Sequence, residues 1–176
     1  IQRDTQGNIT KLIGTVTDVT DHKHMTLALR QSEERFRILV DYAPEAIVVC
    51  DADAGRFVDA NAKACQLFGM ERAELLRVGP VELSPPRQPN GTSSAELARL
   101  RIGEALAGGT PQFEWVHLDT HGREIVCEIF LVRLPAQTGN LIRGSMVDIT
   151  ARKRAQAEQA RLATIIEATS AVGGPG

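Results

Sequence analysis

The segment Gly14-Thr15-Val16-Thr17-Asp18-Val19-Thr20 returns 130 residues later as Gly144-Ser145-Met146-Val147-Asp148-Ile149-Thr150. Lys23 and Lys153, three residues past each threonine, recur with it. Each copy leads into a stretch of helical composition, and Arg35-Phe36-Arg37-Ile38-Leu39-Val40-Asp41 is then matched by Arg161-Leu162-Ala163-Thr164-Ile165-Ile166-Glu167. A repeat this long has the period of a whole domain, whereas solenoid and propeller units run to about 20–50 residues. The chain is therefore expected to be a slice of an array. Residues 1–19 read as the closing strand of a preceding unit, 20–35 as a linker helix, 36–150 as one complete unit, and 151–176 as the outgoing helix and start of the next. A first residue other than Met fits that expectation, and Gly173-Gly174-Pro175-Gly176 reads as a flexible end.

The apolar share of 43% suits one compact core. A formal net charge of −2 supplies no cationic field for nucleic acid, and Arg152-Lys153-Arg154 reads as a solvated helix face. Cys50, Cys65 and Cys127 are too few and too far apart for a metal cluster or a disulfide framework, so they are expected to be reduced, buried thiols. No apolar run approaches the roughly 18 residues of a membrane span, and no signal-peptide pattern opens the chain. A cytoplasmic segment without membrane contact is the expectation.

Within the complete unit, Ala46–Cys50 and Arg56–Val58 flank Asp51-Ala52-Asp53-Ala54-Gly55, a turn sequence between two short apolar runs, which predicts a β-hairpin. Asn61 precedes Ala62-Lys63-Ala64-Cys65-Gln66-Leu67-Phe68 and Gly69 follows, the signature of a short helix with an N-cap and a left-handed C-terminal residue. Another helical turn is expected over Glu71–Leu76, and a loop over Gly79–Gly91 with its four prolines. Thr92 or Ser93 can cap a longer helix whose apolar residues Leu97, Leu100 and Leu106, with Ala98, Ile102 and Ala105 between them, recur at helical spacing up to Gly108-Gly109. Three longer strands follow at Pro111–Leu118, Glu124–Leu134 and Leu141–Ile149. In the middle one, Ile125, Cys127, Ile129 and Leu131 form an apolar face that belongs to the core, while the half-apolar opposite face is expected to lie under a helix or a partner.

Two strands, short helices and three strands ending in Gly-x-x-x-Asp-Ile-Thr resemble the PAS family with its closing PAC motif. The resemblance spans residues 36–150, and residues 1–20 as the tail of another copy. It rests on Phe36 to Ile47, on Val58-Asp59-Ala60-Asn61-Ala62, on Phe113-Glu114-Trp115 with Asp119-Thr120-His121-Gly122-Arg123-Glu124, and on Asp148-Ile149-Thr150. It implies an α+β fold: a five-stranded antiparallel sheet with short helices on one face, flanked by N- and C-terminal signalling helices. It also implies a multi-PAS bacterial sensor whose output domain, further along the same chain, is a histidine kinase or a cyclic-dinucleotide enzyme.

Such a fold leaves room for a small-ligand pocket between the concave sheet face and the long helix, although the same space can be a filled core. Its candidate lining residues are Leu67, Leu100, Trp115, Cys127, Ile129 and Met146. Asn61 is expected to be a structural cap. Asp148, Ile149 and Thr150 are expected to relay a signal from the last strand into the outgoing helix, with Asp148 facing Arg152. The cofactor is left unknown. The segment 92–108 holds no histidine where haem-binding relatives carry theirs, and 71–91 holds no cysteine for a flavin adduct, which argues against both. His117 and His121 read as ordinary histidines.

His22, Met25, Leu29, Ser32, Phe36 and Leu39, and then Ala155, Gln159, Leu162, Ile166 and Thr169, follow alternating spacings of three and four. They predict a homodimer through the flanking helices, the alternative being helices that lie on their own domain. The function expected is a sensory module that binds a small ligand or partner and relays a conformational signal; the alternative is a ligand-free dimerising spacer. An enzyme is disfavoured, because the chain carries no phosphoacceptor box, phosphate-binding glycine loop, zinc motif or nucleophile elbow.

Overall fold

A computed structural model describes residues 2–11, 20–136 and 139–172, and the chain divides into two units, 1–38 and 39–176. The first holds two short antiparallel strands, β1 (Gln2–Arg3) and β2 (Ile9–Lys11), and most of helix α1 (Thr20–Asp41). Residues 2–11 make a hairpin whose turn is fixed by Asp4 accepting the N–H groups of Gln6 and Asn8. Gly14 to Val19, most of the first copy of the repeat, lie outside the described residues, as do Gly173 to Gly176. Helix α1 also runs past the boundary expected at residue 35. Nothing between Glu33 and Val40 breaks a helix, whereas Pro44 biases the residue before it away from the helical region.

The second unit is built on a five-stranded antiparallel sheet of β3 (Ala46–Asp51), β4 (Arg56–Ala60), β5 (Gln112–Leu118), β6 (Glu124–Arg133) and β7 (Leu141–Asp148). Their order is β4-β3-β7-β6-β5, so the last strand lies beside the first and the chain crosses from one edge to the other through its helices. The β3–β4 turn is set by Asp51, whose carboxylate accepts the N–H groups of Asp53 and Ala54, and by Gly55 at φ +68°. Alternation places Ala46, Val48 and Cys50 of β3, Ile125, Cys127 and Ile129 of β6, and Met146 of β7 in one core with Phe57, Phe68, Leu75 and Trp115. Burying each large apolar side chain contributes about 1.5–3 kcal/mol. The opposite face of β6 is half-buried, with Phe130 exposed.

The connecting helices are α2 (Ala62–Phe68), α3 (Arg72–Leu75) and α4 (Ser94–Leu106); α5 (Thr150–Val172) leaves the sheet. Helix α2 ends at Gly69 in the left-handed conformation, as its sequence predicts. Helix α4 starts after Ser93, but no hydroxyl caps it. Ser94 instead turns inward and donates from Oγ to the Pro85 carbonyl at 2.5 Å.

The segment 77–93 ties both edges of the sheet. At one edge the Phe57 N–H donates to the Val78 carbonyl at 2.9 Å, and at the other the Leu118 N–H donates to the Leu83 carbonyl at 2.9 Å. Gln88, almost fully buried, completes the second edge: its Oε1 accepts the Val116 N–H at 2.8 Å and its Nε2 donates to the Val116 carbonyl at 3.1 Å. An edge strand left bare would offer these groups to another chain.

Asn61 joins the hairpin, α2 and the chain leading in. Its Oδ1 accepts the N–H groups of Ile47 and Ala64, and its Nδ2 donates to the carbonyls of Val40 and Glu45, all within 3.0 Å. The structural cap expected there is therefore a four-bond junction, buried to 2% exposure. Asn61→Ala strips all four at once and is expected to lower unfolding stability by about 2–4 kcal/mol. A denaturant titration followed by far-UV circular dichroism reads this directly; a loss below about 1 kcal/mol would mean that water takes over these bonds.

Candidate functional site

A cavity of about 60 Å³ lies between the concave sheet face and α4. It is lined from the sheet by Val48, Cys50, Phe57, Phe113, Trp115, His117, Ile129, Leu131, Ile142, Gly144 and Met146, and from the far side by Pro80, Ala98, Arg101 and Ile102. Strand period selects this set: Phe113, Trp115 and His117 alternate along β5, and Ile142, Gly144 and Met146 along β7. Gly144 keeps the floor open, because a Cβ there would stand 3.3 Å from Val48 Cγ2 and 3.5 Å from Leu131 Cδ2.

Of the six residues expected to line a pocket, Trp115, Ile129 and Met146 meet at this cavity. Leu67 packs from α2 against the core elsewhere, and Cys127 is fully buried without reaching the cavity wall. Leu100 is 62% exposed and faces out of α4 beside Thr92, Glu96, Leu97 and Arg99. The side of α4 turned to the sheet is instead Ser94, Ala98, Arg101, Ile102 and Ala105, spaced four, three, one and three residues apart. Small side chains let the helix approach; Leu97 packs against the core at its margin, and Leu100 points away from the contact.

The polar groups of the wall come from residues whose role the sequence left ordinary. Trp115 Nε1 donates to Ser84 Oγ at 2.8 Å. His117 is 2% exposed, stacked edge-on against Phe68 at 5.2 Å, with Nδ1 at 3.1 Å from the Leu83 carbonyl. A carbonyl only accepts, so Nδ1 carries the proton and Nε2 is left as an acceptor; Nε2 has no partner among the described residues. Burial pushes the His117 imidazole down to about 4, against a weaker upward pull from its Leu83 bond. Arg101 sits over the Phe113 ring at 5.0 Å and pairs with Glu104 at 3.1 Å, while its buried Nε has no partner among the described residues. Burial also raises the thiols, Cys50 to about 11 and Cys127 to about 12, so both are protonated at neutral pH.

The junction with α5 lies behind this wall. Thr150 Oγ1 accepts the Val126 N–H at 2.9 Å, the Ile149 N–H donates to the Val126 carbonyl at 2.8 Å, and the Asp148 carboxylate accepts the Thr150 N–H at 2.8 Å. Asp148 thus satisfies the first N–H of the helix, and Thr150 bonds to the sheet. The ion pair across the junction is Lys153–Glu114 at 2.6 Å, where Asp148 with Arg152 is expected from sequence. Val126 and Glu114 each adjoin a residue of the opposite, core-facing side: Cys127 and Trp115. Along the outer helices, Met25, Phe36 and Leu39 of α1 and Leu162 and Ile166 of α5 are exposed, whereas the side chains of His22, Leu29 and Thr169 lie outside the described residues. Among the described residues no group of three or more His, Cys, Asp or Glu is placed to hold a metal ion. Nor is any described helix long and apolar enough to cross a membrane.

Residues 40–154, which hold the five-stranded sheet, its short helices and the start of the outgoing helix, match the family described as the PAS fold. The chain belongs to the PAS family, and its α+β architecture is the one the resemblance implies. A stretch of 60 residues is 42% identical to sporulation kinase E of Bacillus subtilis (strain 168), covering 34% of this chain and 8% of that kinase. Among solved structures, the PAS domain of an HTR-like protein from Haloarcula marismortui is similar with a TM-score of 0.62 at 21% identity, over 72% of this chain and 99% of that one. A PAS domain from a two-component sensor histidine kinase has a TM-score of 0.56 at 16% identity, over 68% of this chain and 98% of that one. A domain of a sensory box sensor histidine kinase/response regulator from Geobacter sulfurreducens has a TM-score of 0.54 at 25% identity, over 68% of this chain and 96% of that one.

The buried neutral histidine has a thermodynamic signature. Its pKa is about 4 when folded and 6.5 when not, so between those values the unfolded chain binds the extra proton. This contribution to stability is therefore intact above pH 6.5 and falls as the pH drops toward 4, by roughly 3 kcal/mol in all. Chemical unfolding at pH 7.5 and pH 4.5 should show a decline in the parent protein that is markedly smaller in His117→Phe. Asp119, whose carboxylate is held down to about 2, chiefly by the Arg123 N–H, loses its contribution below that window.

Proposed function

We propose that this PAS domain is a sensory module that converts occupancy of its cavity, or docking of a partner, into a movement of α5 toward an output domain. The observation that carries this reading is the bonding of the first turn of α5 into β6 and β5, on the reverse side of the strands that wall the cavity. A ligand acts on such a device only through different affinities for two arrangements of the helix. The kinases among its relatives support an output domain of the histidine-kinase type in the same chain; a cyclic-dinucleotide enzyme is the other class that suits a relay helix. Residues 1–19, 20–35, 36–150 and 151–176 are then the tail of a preceding PAS unit, a linker, the sensor and the outgoing helix.

A second reading is favoured by two facts: the cavity is far below the roughly 300–1,000 Å³ of most ligand sites, and Phe36 is 69% exposed on α1. In it, the domain is a ligand-free spacer that forms a homodimer through its flanking helices. Light scattering separates the two contributions: removal of residues 20–35 is expected to convert a dimer to a monomer if α1 supplies the interface.

In a full-length protein carrying this segment, the double variant Asp148→Ala with Thr150→Ala is expected to abolish the response of output activity to input. The unfolding midpoint of the domain should fall by no more than the equivalent of about 2 kcal/mol. Thr150→Ser, which keeps the oxygen that accepts the Val126 N–H, should restore the response. An unchanged response in the double variant rejects the relay.

A further inference from the structure

The accessible wall of the cavity is essentially all apolar, although Trp115, His117 and Arg101 belong to it. None of their nitrogens serves a molecule inside. The indole N–H is committed to Ser84 Oγ at 2.8 Å, while His117 Nε2 and Arg101 Nε are buried nitrogens with almost no accessible surface. Arg101 Nη1 pairs with Glu104 at 3.1 Å. An occupant therefore meets neither a donor nor an acceptor. The floor is open for a reason other than backbone conformation: Gly144 is not among the glycines with positive φ, so its backbone accepts a side chain. The lack of one keeps the space beside Val48 and Leu131 clear, and glycine inside a strand commonly marks such a close approach.

Wall chemistry and size narrow what can fit. A buried water needs two to four polar partners and stays out of apolar cavities, so an occupant here displaces no bound water. Anything charged or hydrogen-bonding gives up its hydration and finds no replacement, which excludes carboxylates, amines and alcohols alike. Dispersion is what remains, and the Met146 thioether with the rings of Phe57, Phe113 and Trp115 supplies polarizable surface for it. A dry cavity of about 150 Å³ takes benzene, with six carbons; at about 60 Å³ this one takes about two or three non-hydrogen atoms.

Deepening the sensory reading and resting on it, we propose that the cavity is a site for an uncharged apolar molecule of about two or three non-hydrogen atoms, the size of ethylene or dioxygen, held over Gly144 by dispersion alone. Contacts to so few atoms set a midpoint on the order of 10 mM. Such a molecule acts as an input only where it accumulates to millimolar levels.

The whole 176-residue protein is titrated under gas pressure with xenon, ethylene and dioxygen in turn, and separately with methanol, which matches ethylene in heavy atoms but carries a hydroxyl. The methyl resonances of Ile129, Ile142 and Met146, which all line the cavity, report occupancy. Xenon and ethylene should each give saturable shifts at these methyls, with midpoints on the order of 10 mM. Dioxygen, being paramagnetic, should give saturable broadening of the same lines, and methanol should change none of them. The lower of the ethylene and dioxygen midpoints tells a hydrocarbon source from a diatomic gas. Gly144→Ala, whose methyl takes up the floor, should weaken xenon binding at least tenfold. If that variant does not fold, Ile142→Val, which removes a methylene from the wall, should tighten it at least twofold. The absence of any saturable change, an equal response to methanol, or an unmoved midpoint in the variant that folds would each overturn the proposal and leave the space a packing void. That result would still leave the relay standing if the Asp148 and Thr150 variant uncouples the full-length protein, so the two failures are distinguishable.

Discussion

The curvature of the sheet is imposed by the short strap between Val78 and Leu83, whose ends are bonded to opposite edges of the sheet at Phe57 and Leu118. Five strands with four gaps of about 4.8 Å would put the edges of a flat sheet roughly 19 Å apart. Five residue steps reach about 18 Å even when fully extended, and residues 80–83 are wound into turns. Both edges can be held only if the sheet curls. The concave face, the cavity and the approach of α4 all follow from that geometry, and Pro80 stiffens the strap.

The strap also explains the polar residues around the cavity. Leu83 gives its carbonyl both to the Leu118 N–H and to the His117 ring, and Ser84 receives the Trp115 N–H while donating to the Pro80 carbonyl at 2.6 Å. Wall and strap are therefore one hydrogen-bonded structure. Anything that displaces Trp115 or His117 pulls on the segment that curls the sheet.

Much of this was legible in the sequence because strand alternation and caps are local signals. The hairpin around Asp51–Gly55, the capped helix from Asn61 to Gly69 and the core face of β6 all emerge from residue spacing. So do Trp115, Ile129 and Met146, which lie on strands whose phase is fixed by their neighbours. Helical phase was harder to read: Ala98, Ile102 and Ala105 share the apolar spacing with the leucines of α4 and it is they that meet the sheet, while Leu100, expected in the pocket, faces out. The roles of Gln88 and His117 were not legible at all, since each depends on a partner 28 or 34 residues away in sequence. A buried glutamine in a proline-rich loop carries no local signature; only the need to cover an edge strand could have suggested one.

Val126 spends both of its backbone groups on the turn that follows β7, its N–H on Thr150 and its carbonyl on Ile149. The start of α5 thereby replaces the rung that another strand would have supplied, and Lys153 pins the next turn to Glu114. A helix joined in this way cannot tilt by small degrees, because the first fraction of any swing already breaks paired bonds. If α5 moves as proposed, its docked and released positions would be separated by a barrier, and the output would be counted in populations of two states and not graded along a continuous angle.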